Sequence, residues 1–181
     1  MKNKFEVLKN EDEHSIRTEI LQIRKKLLAF VDDHAANDKG FTLKLNPVAH
    51  FEDNDNYPLD FQIFLEEIGE LYLGWNDYEV IQIQTPFPLE NVEKDSEEAE
   101  NLSLISTFIG GQDKYMNRPI SEFEVFSNEV CSYVMYCFDI TKKPYSIVTE
   151  EYETKYSSFV DWFKITMNDQ IDYAYQIKNY F

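Results

Sequence analysis

Apolar residues near the N-terminus recur at intervals of four and three positions, which is the spacing of one buried helix face. This stripe consists of Ile16, Ile20, Ile23, Leu27 and Phe30. Asn10 and Glu13 have the spacing of a capping box, and Gly40 follows the last apolar position. The pattern predicts a helix from about residue 11 to residue 35, packed against the rest of the chain.

A second helix is predicted in the middle of the chain and a third near its C-terminus. Tyr57-Pro58 opens the middle helix, because proline is tolerated in a first turn, and Gly69 supplies the left-handed residue that ends it. Its buried stripe is predicted to be Phe61, Phe64, Leu65 and Ile68. Ser158 with Asp161 is a second capping signal, ahead of a stripe formed by Phe159, Trp162, Phe163, Thr166 and Met167. Trp162 is therefore predicted to lie in the core.

Short apolar segments between these helices predict the strands of a sheet. The candidate strands are residues 41–45, 71–75, 78–84, 104–109, 130–138 and 145–148. Pro86 and Pro88 are expected to end the third of them, and residues 89–102 fit either a short acidic helix or a loop. Strands between helices, with no repeat period, predict an α+β fold with a mostly antiparallel sheet flanked by helices. We expect one domain over residues 1–181, with residues 1–40 as a helical extension packed on it.

The negative charge of the chain is concentrated in its middle third. The 181 residues carry a net charge of −17, and residues 51–100 contribute fifteen acids and one base, Lys94, which is a net charge of −14. Nucleic acids and anionic membranes attract basic surfaces, so this balance argues against both as the main partner. Salt screens charges over about 8 Å at physiological ionic strength, so a partner at the surface experiences this local cluster.

Three interpretations of the acidic segment are open. It fits a solvated face that favours solubility, a landing site for a basic protein, or, more weakly, a cation site at Asp53-Asn54-Asp55-Asn56, which lacks the glycine and distal glutamate of a calcium loop. Glu66, Glu67 and Glu70 are expected to form an acidic end of the middle helix, where negative charge is unfavourable against the helix dipole, and this favours a role outside the helix. Trp75, at a predicted hairpin, is a candidate interface anchor. The candidate partner-binding residues are Glu52, Asp53, Asp55, Glu66, Glu67, Glu70, Trp75, Glu93, Asp95, Glu97 and Glu98.

No residue pattern in the chain specifies a reaction. The histidines, His14, His34 and His50, are scattered, and there is no zinc-ligand spacing, nucleophile elbow, P-loop or dinucleotide fingerprint. Cys131 and Cys137 are placed about 20 Å apart by one predicted strand, too far for a disulfide, and buried thiols suit a reducing cytoplasm. No apolar run fits a signal peptide or a membrane span. The sequence therefore predicts a cytoplasmic protein that is not an enzyme and has no catalytic, cofactor or metal site.

Several segments resemble the SUKH superfamily, the bacterial relatives of a yeast cell-wall synthesis regulator. The first comprises residues 57–71, in which an aromatic-rich helix begins at a proline and ends at a glycine, with the sequence Tyr-Pro-Leu-Asp-Phe-Gln-Ile-Phe-Leu-Glu-Glu-Ile-Gly-Glu-Leu. The Trp75 segment with Pro86-Phe87-Pro88-Leu89, and the turn from Asp139 to Pro144 followed by a helix that opens at Ser158, are similar to the same family. The resemblance covers roughly residues 45–170. It departs from many members at Glu70, where they have a second glycine.

The SUKH resemblance implies an α+β fold without catalytic machinery. In bacteria it also implies an immunity protein that binds and blocks a cognate toxin, often a nuclease. Together with the acidic segment, this gives the hypothesis of a non-catalytic binding protein for a basic partner. The alternatives are a regulatory protein–protein interaction module without a toxin partner, and a small hydrolase whose site leaves no sequence motif.

Overall fold

The computed structural model describes residues 4–35, 40–48, 54–75, 78–88, 120–129, 134–148, 156 and 158–178. Over these ranges the chain forms helix α1 (Lys4–Ala35), strand β1 (Phe41–Asn46), helix α2 (Leu59–Glu67), strands β2 (Glu70–Trp75), β3 (Tyr78–Pro88), β4 (Phe123–Glu129), β5 (Val134–Asp139) and β6 (Ser146–Val148), and helix α3 (Phe159–Lys178). Single 3₁₀ turns precede α2 at Asn54–Asn56 and β4 at Ile120–Glu122. No helix in these ranges is both long and apolar enough to cross a bilayer.

The six strands form one antiparallel sheet in the order β1-β2-β3-β4-β5-β6, so each strand pairs with its neighbour in the sequence. The predicted α+β fold with an antiparallel sheet is confirmed. Leu43 lies opposite Leu73, and Leu71 lies opposite Ile83, which places these side chains on one face of the sheet. All four contribute to the apolar core that the helices share.

The helical stripes predicted from spacing form the other side of this core. Ile20 and Leu27 of α1 are fully buried, and α1 contacts α2, β1 and α3. Trp162 of α3 is also fully buried, as predicted. The centre of the core is aromatic, since the Phe61 ring of α2 lies within 4.9 Å of Phe138 of β5 and 4.8 Å of Phe159 of α3, centroid to centroid. Edge-to-face pairs of this kind add to the free energy of area burial.

A glycine makes the turn from α2 into the sheet. Gly69 has φ +76°, and its N–H donates to the carbonyl oxygen of Phe64 at 3.0 Å. A Cβ at this position would lie 1.8 Å from the carbonyl oxygen of Asn46, the last residue of β1. The predicted left-handed stop is therefore confirmed, and the close approach of β1 is a second reason why the turn requires glycine.

The apolar pattern misplaced two boundaries and missed one strand. Helix α1 begins at Lys4, so Asn10 and Glu13 lie inside it and do not form its cap. Strand β3 continues through Pro86 to Pro88, because its pairing with β4 shifts register between Ile83 and Phe87, and proline is tolerated at such an irregularity. Strand β4 was not predicted, although its residues Phe-Glu-Val-Phe are typical of a strand. The candidate strand 104–109 and the alternatives for residues 89–102 lie outside the described residues.

Candidate functional site

The predicted partner-binding residues lie in different parts of the molecule. Glu66 and Glu67 lie in the last turn of α2, Glu70 begins β2, and Asp55 is exposed in the 3₁₀ turn before α2. Trp75 is the last residue of β2. The remaining candidates, Glu52, Asp53, Glu93, Asp95, Glu97 and Glu98, lie outside the described residues.

Arg17 of α1 holds the two glutamates at the end of α2. Its Nη2 donates to Glu66 Oε2 at 2.9 Å and to Glu13 Oε1 at 3.2 Å, and its Nη1 donates to Glu67 Oε1. The hydrogen bonds that Arg17 donates to Glu66 and Glu67 raise the pKa of Arg17 above its ordinary value. Arg17 was not predicted as part of the site, because its partners are 49 and 50 residues away in the sequence.

We call Glu13, Arg17, Glu66 and Glu67 the acidic junction. The ion pairs with Arg17 compensate Glu66 and Glu67 for their unfavourable position against the α2 dipole. The unfavourable position therefore does not by itself indicate a partner outside the chain. Three carboxylates face one guanidinium, however, which leaves a net charge of −2 at the junction. The side chains of Glu13 and Glu66 remain 39% and 42% exposed, so the uncompensated charge is accessible to solvent.

Glu70 is separated from this junction by the turn at Gly69. Leu71 and Leu73 face the helices, so the alternation of β2 directs Glu70 and Tyr72 to the opposite face of the sheet. There the Glu70 carboxylate accepts hydrogen bonds from Thr85 Oγ1 at 3.2 Å and from Asn46 Nδ2 at 3.3 Å. The expectation that Glu66, Glu67 and Glu70 form one acidic helix end is therefore wrong for Glu70.

A buried carboxylate joins the beginnings of two helices. Asp60, in the first turn of α2, is 6% exposed, and its Oδ2 accepts a hydrogen bond at 2.9 Å from the backbone N–H of Val160 at the start of α3. Its Oδ1 accepts from the N–H of Phe61 at 3.0 Å. Ser158 completes the cap of α3, since its Oγ accepts from the N–H of Asp161 at 3.1 Å, as the capping signal predicted. Burial raises the pKa of Asp60, against the lowering effect of the backbone hydrogen bonds.

Asp60 also lines a cleft of about 470 Å³ between the starts of α2 and α3 and the turn before β6. This volume lies in the range of about 300–1,000 Å³ that is usual for ligand sites. The described lining residues are Ile16, Pro58, Leu59, Asp60, Pro144, Tyr145, Ser146, Ile147, Tyr156, Ser158 and Phe159. The sequence does not predict this cleft, because the cleft is built from segments that are far apart in the chain.

The described residues contain no group of three His, Cys, Asp or Glu side chains that could hold a metal ion. Cys137 is fully buried in β5, opposite Val125 and Val148 on the neighbouring strands, and burial raises the pKa of its thiol to about 12. A thiol with such a pKa is protonated at neutral pH and is a poor nucleophile. Cys131 lies outside the described residues.

No protein family, curated protein or solved structure matches this chain.

The raised pKa of Asp60 predicts a pH dependence of stability. Folded protein takes up a proton at Asp60 at higher pH than the unfolded chain, in which the group titrates near its ordinary value of 3.8. As the pH falls through the folded pKa towards 3.8, protonation therefore increases the free energy of unfolding, and this contribution is lost as the pH rises. Asp60→Asn, which keeps an oxygen acceptor for Val160, removes this contribution.

Urea unfolding of wild type and Asp60→Asn between about pH 7 and about pH 4 measures this effect as the difference between the two curves. We expect wild type to gain stability relative to Asp60→Asn as the pH falls. A stability difference between the two proteins that is constant with pH, or that changes in the opposite direction, would contradict a raised pKa of Asp60.

Proposed function

We propose that this chain is a non-catalytic binding protein of the SUKH type, an immunity protein that binds and neutralises a basic cognate toxin in the cytoplasm. The observation that carries the proposal is the acidic junction. There the single charge of Arg17 balances one of three carboxylate charges that are at least partly exposed, and two remain uncompensated. The net charge of −14 over residues 51–100, a segment that includes Glu66 and Glu67, also supports the proposal.

Electrostatic complementarity explains how such a surface would act. A nuclease carries a basic cleft that holds phosphate groups, and carboxylates presented at a surface can occupy that cleft in place of the phosphates. Close charge pairs across one other inhibitor interface have measured coupling energies of about 1.5–7 kcal/mol. Opposite charges also steer the encounter, so inhibition would be fast as well as tight.

Identification of the partner tests this function. Tagged protein is used to capture partners from its native host, and mass spectrometry identifies them. The captured partner is then expressed alone and together with this chain. We expect a basic protein that arrests growth alone and is neutralised on co-expression. A captured partner that has no toxicity would favour the regulatory interaction module instead.

Charge reversal in the acidic segment predicts slower association with that partner. Lysine substitution of Glu93, Glu97 and Glu98 removes negative charge from the segment that the sequence singles out, and should slow association by about tenfold or more and flatten its salt dependence. Stopped-flow or surface-plasmon measurements at several salt concentrations check this.

The matched control carries the same change of net charge elsewhere. Asp12, Asp32 and Asp169 are exposed on α1 and α3, and their replacement by lysine also changes the net charge by +6. We expect a clearly smaller effect on association. Equal effects of the two triple variants would show that net charge acts alone, and unchanged kinetics in the first would remove residues 93–98 from the interface.

A further inference from the structure

The cleft beside Asp60 combines apolar walls with one acidic group. Ile16 of α1, Leu59 of α2 and Ile147 of β6 contribute aliphatic surface, while Tyr145 and Tyr156 contribute aromatic rings. Among the lining residues that the structure describes there is no lysine, arginine or histidine. Asp60 is therefore the one charged group of the described lining, and it lies in a mostly apolar environment.

The charge of Asp60 is only partly compensated within the chain. The carboxylate accepts hydrogen bonds from the backbone N–H groups of Phe61 and Val160, and those of Phe159 and Asp60 itself also lower its pKa. No ion pair joins it to a cation of the described part of the chain. Desolvation raises the pKa of Asp60 by more than these hydrogen bonds lower it, so that the pKa lies above its ordinary value. A cation placed in the cleft would supply the missing compensation.

We infer that the cleft receives a long basic side chain, lysine or arginine, of the partner protein, with its cationic end at Asp60. The methylene stem of such a side chain would lie along Ile16 and Leu59, since long basic side chains bury their stems against apolar surface. The cationic end would donate a charge-assisted hydrogen bond to the carboxylate and would contact the tyrosine rings. This inference rests on the proposed function, which supplies the partner that carries the side chain. It adds the position on the surface at which that side chain binds.

Small analogues of the two side chains test the site without the partner. The ¹⁵N-labelled protein is titrated with n-butylguanidinium or n-butylammonium, and with the uncharged n-butylurea, at about 0.15 M salt, where exposed charges are screened over about 8 Å. We expect saturable shifts of the backbone amides that surround the cleft, such as Ile147 and Phe159, with the cations. We expect n-butylurea to bind about tenfold more weakly or worse, since it can donate hydrogen bonds but carries no charge and cannot form an ion pair with a carboxylate.

Two variants address the site from different elements. Asp60→Asn removes the charge but keeps an acceptor for α3, and should weaken cation binding about tenfold. Ile16→Trp fills the cleft from α1, leaves Asp60 and the α3 cap intact, and should abolish the shifts. Leu21→Trp, at an exposed position of the same helix, is the matched control and should bind as wild type does.

The outcomes separate this inference from the proposed function. Equal binding of n-butylurea and the cations, or shifts that persist in Ile16→Trp, would overturn the inference. A toxin that binds wild type, Asp60→Asn and Ile16→Trp with the same affinity would also overturn it, while leaving the immunity function in place. Cation binding at the cleft in a protein that has no basic partner would support the site and remove the proposed function.

Discussion

Replacement of Phe61 by alanine should lower the free energy of unfolding by about 3–5 kcal/mol. Phe61 is fully buried, and its ring packs against four aromatic rings, from the turn before α2, from β4, from β5 and from α3. The centroid distances are 5.8 Å to Tyr57, 5.8 Å to Phe126, 4.9 Å to Phe138 and 4.8 Å to Phe159. The loss combines the transfer free energy of a large side chain with a cavity that four packed rings cannot easily close.

Urea unfolding followed by circular dichroism measures the effect of Phe61→Ala. Leu28→Ala is the control, because Leu28 is 41% exposed on α1 and its truncation should change stability by no more than about 0.5 kcal/mol. Similar values for the two variants would show that Phe61 is not at the centre of the core.

Replacement of Gly69 by alanine is expected to be nearly as severe, for a different reason. An L-residue with a side chain pays about 1–2 kcal/mol to adopt the left-handed conformation that Gly69 has. The new Cβ would also lie 1.8 Å from the carbonyl oxygen and 2.2 Å from the carbonyl carbon of Asn46, so β1 or the α2–β2 turn must move. We expect a total loss above about 3 kcal/mol.

Gly74→Ala supplies the matched comparison for Gly69→Ala. A Cβ at Gly74 would approach the ring of Tyr72, 2.7 Å from its Oη and 2.8 Å from its Cε1, and no backbone atom is among these nearest contacts. Because a half-exposed tyrosine side chain can rotate away, we expect a loss of about 1 kcal/mol. Equal losses in the two glycine variants, measured by urea unfolding, would contradict the argument from backbone crowding at Gly69.

Local patterns predicted much of the fold, because helices and strands are periodic over short distances. The spacing of Ile20 and Leu27 predicted the buried face of α1, and Ser158 with Asp161 predicted the start of α3. The start of α1 was placed too late, since the polar residues around Asn10 resemble a cap although they continue a helix. Propensity is a weak guide at such boundaries.

The candidate site was less predictable, because it depends on contacts between distant segments. The sequence predicts that Glu66 is unfavourably placed against the α2 dipole, but its partner Arg17 is 49 residues away and cannot be identified from local spacing. In the sequence, Asp60 is one of fifteen acids in residues 51–100, and local spacing does not distinguish it from the others. Its role as a cap for α3 depends on Val160, which is 100 residues further along the chain.

The strand order has a consequence for how the chain folds. Each strand pairs with the next one in the chain. The pairs with short connections, β2–β3, β4–β5 and β5–β6, can form as hairpins with a small loss of chain entropy. Two pairings are not hairpins: β1 and β2 are separated by α2, and β3 and β4, which end and begin at Pro88 and Phe123, are separated by the longest connection between neighbouring strands. We therefore expect a folding pathway in which β1–β3 and β4–β6 form as two three-stranded units, and in which the barrier is crossed when these halves meet.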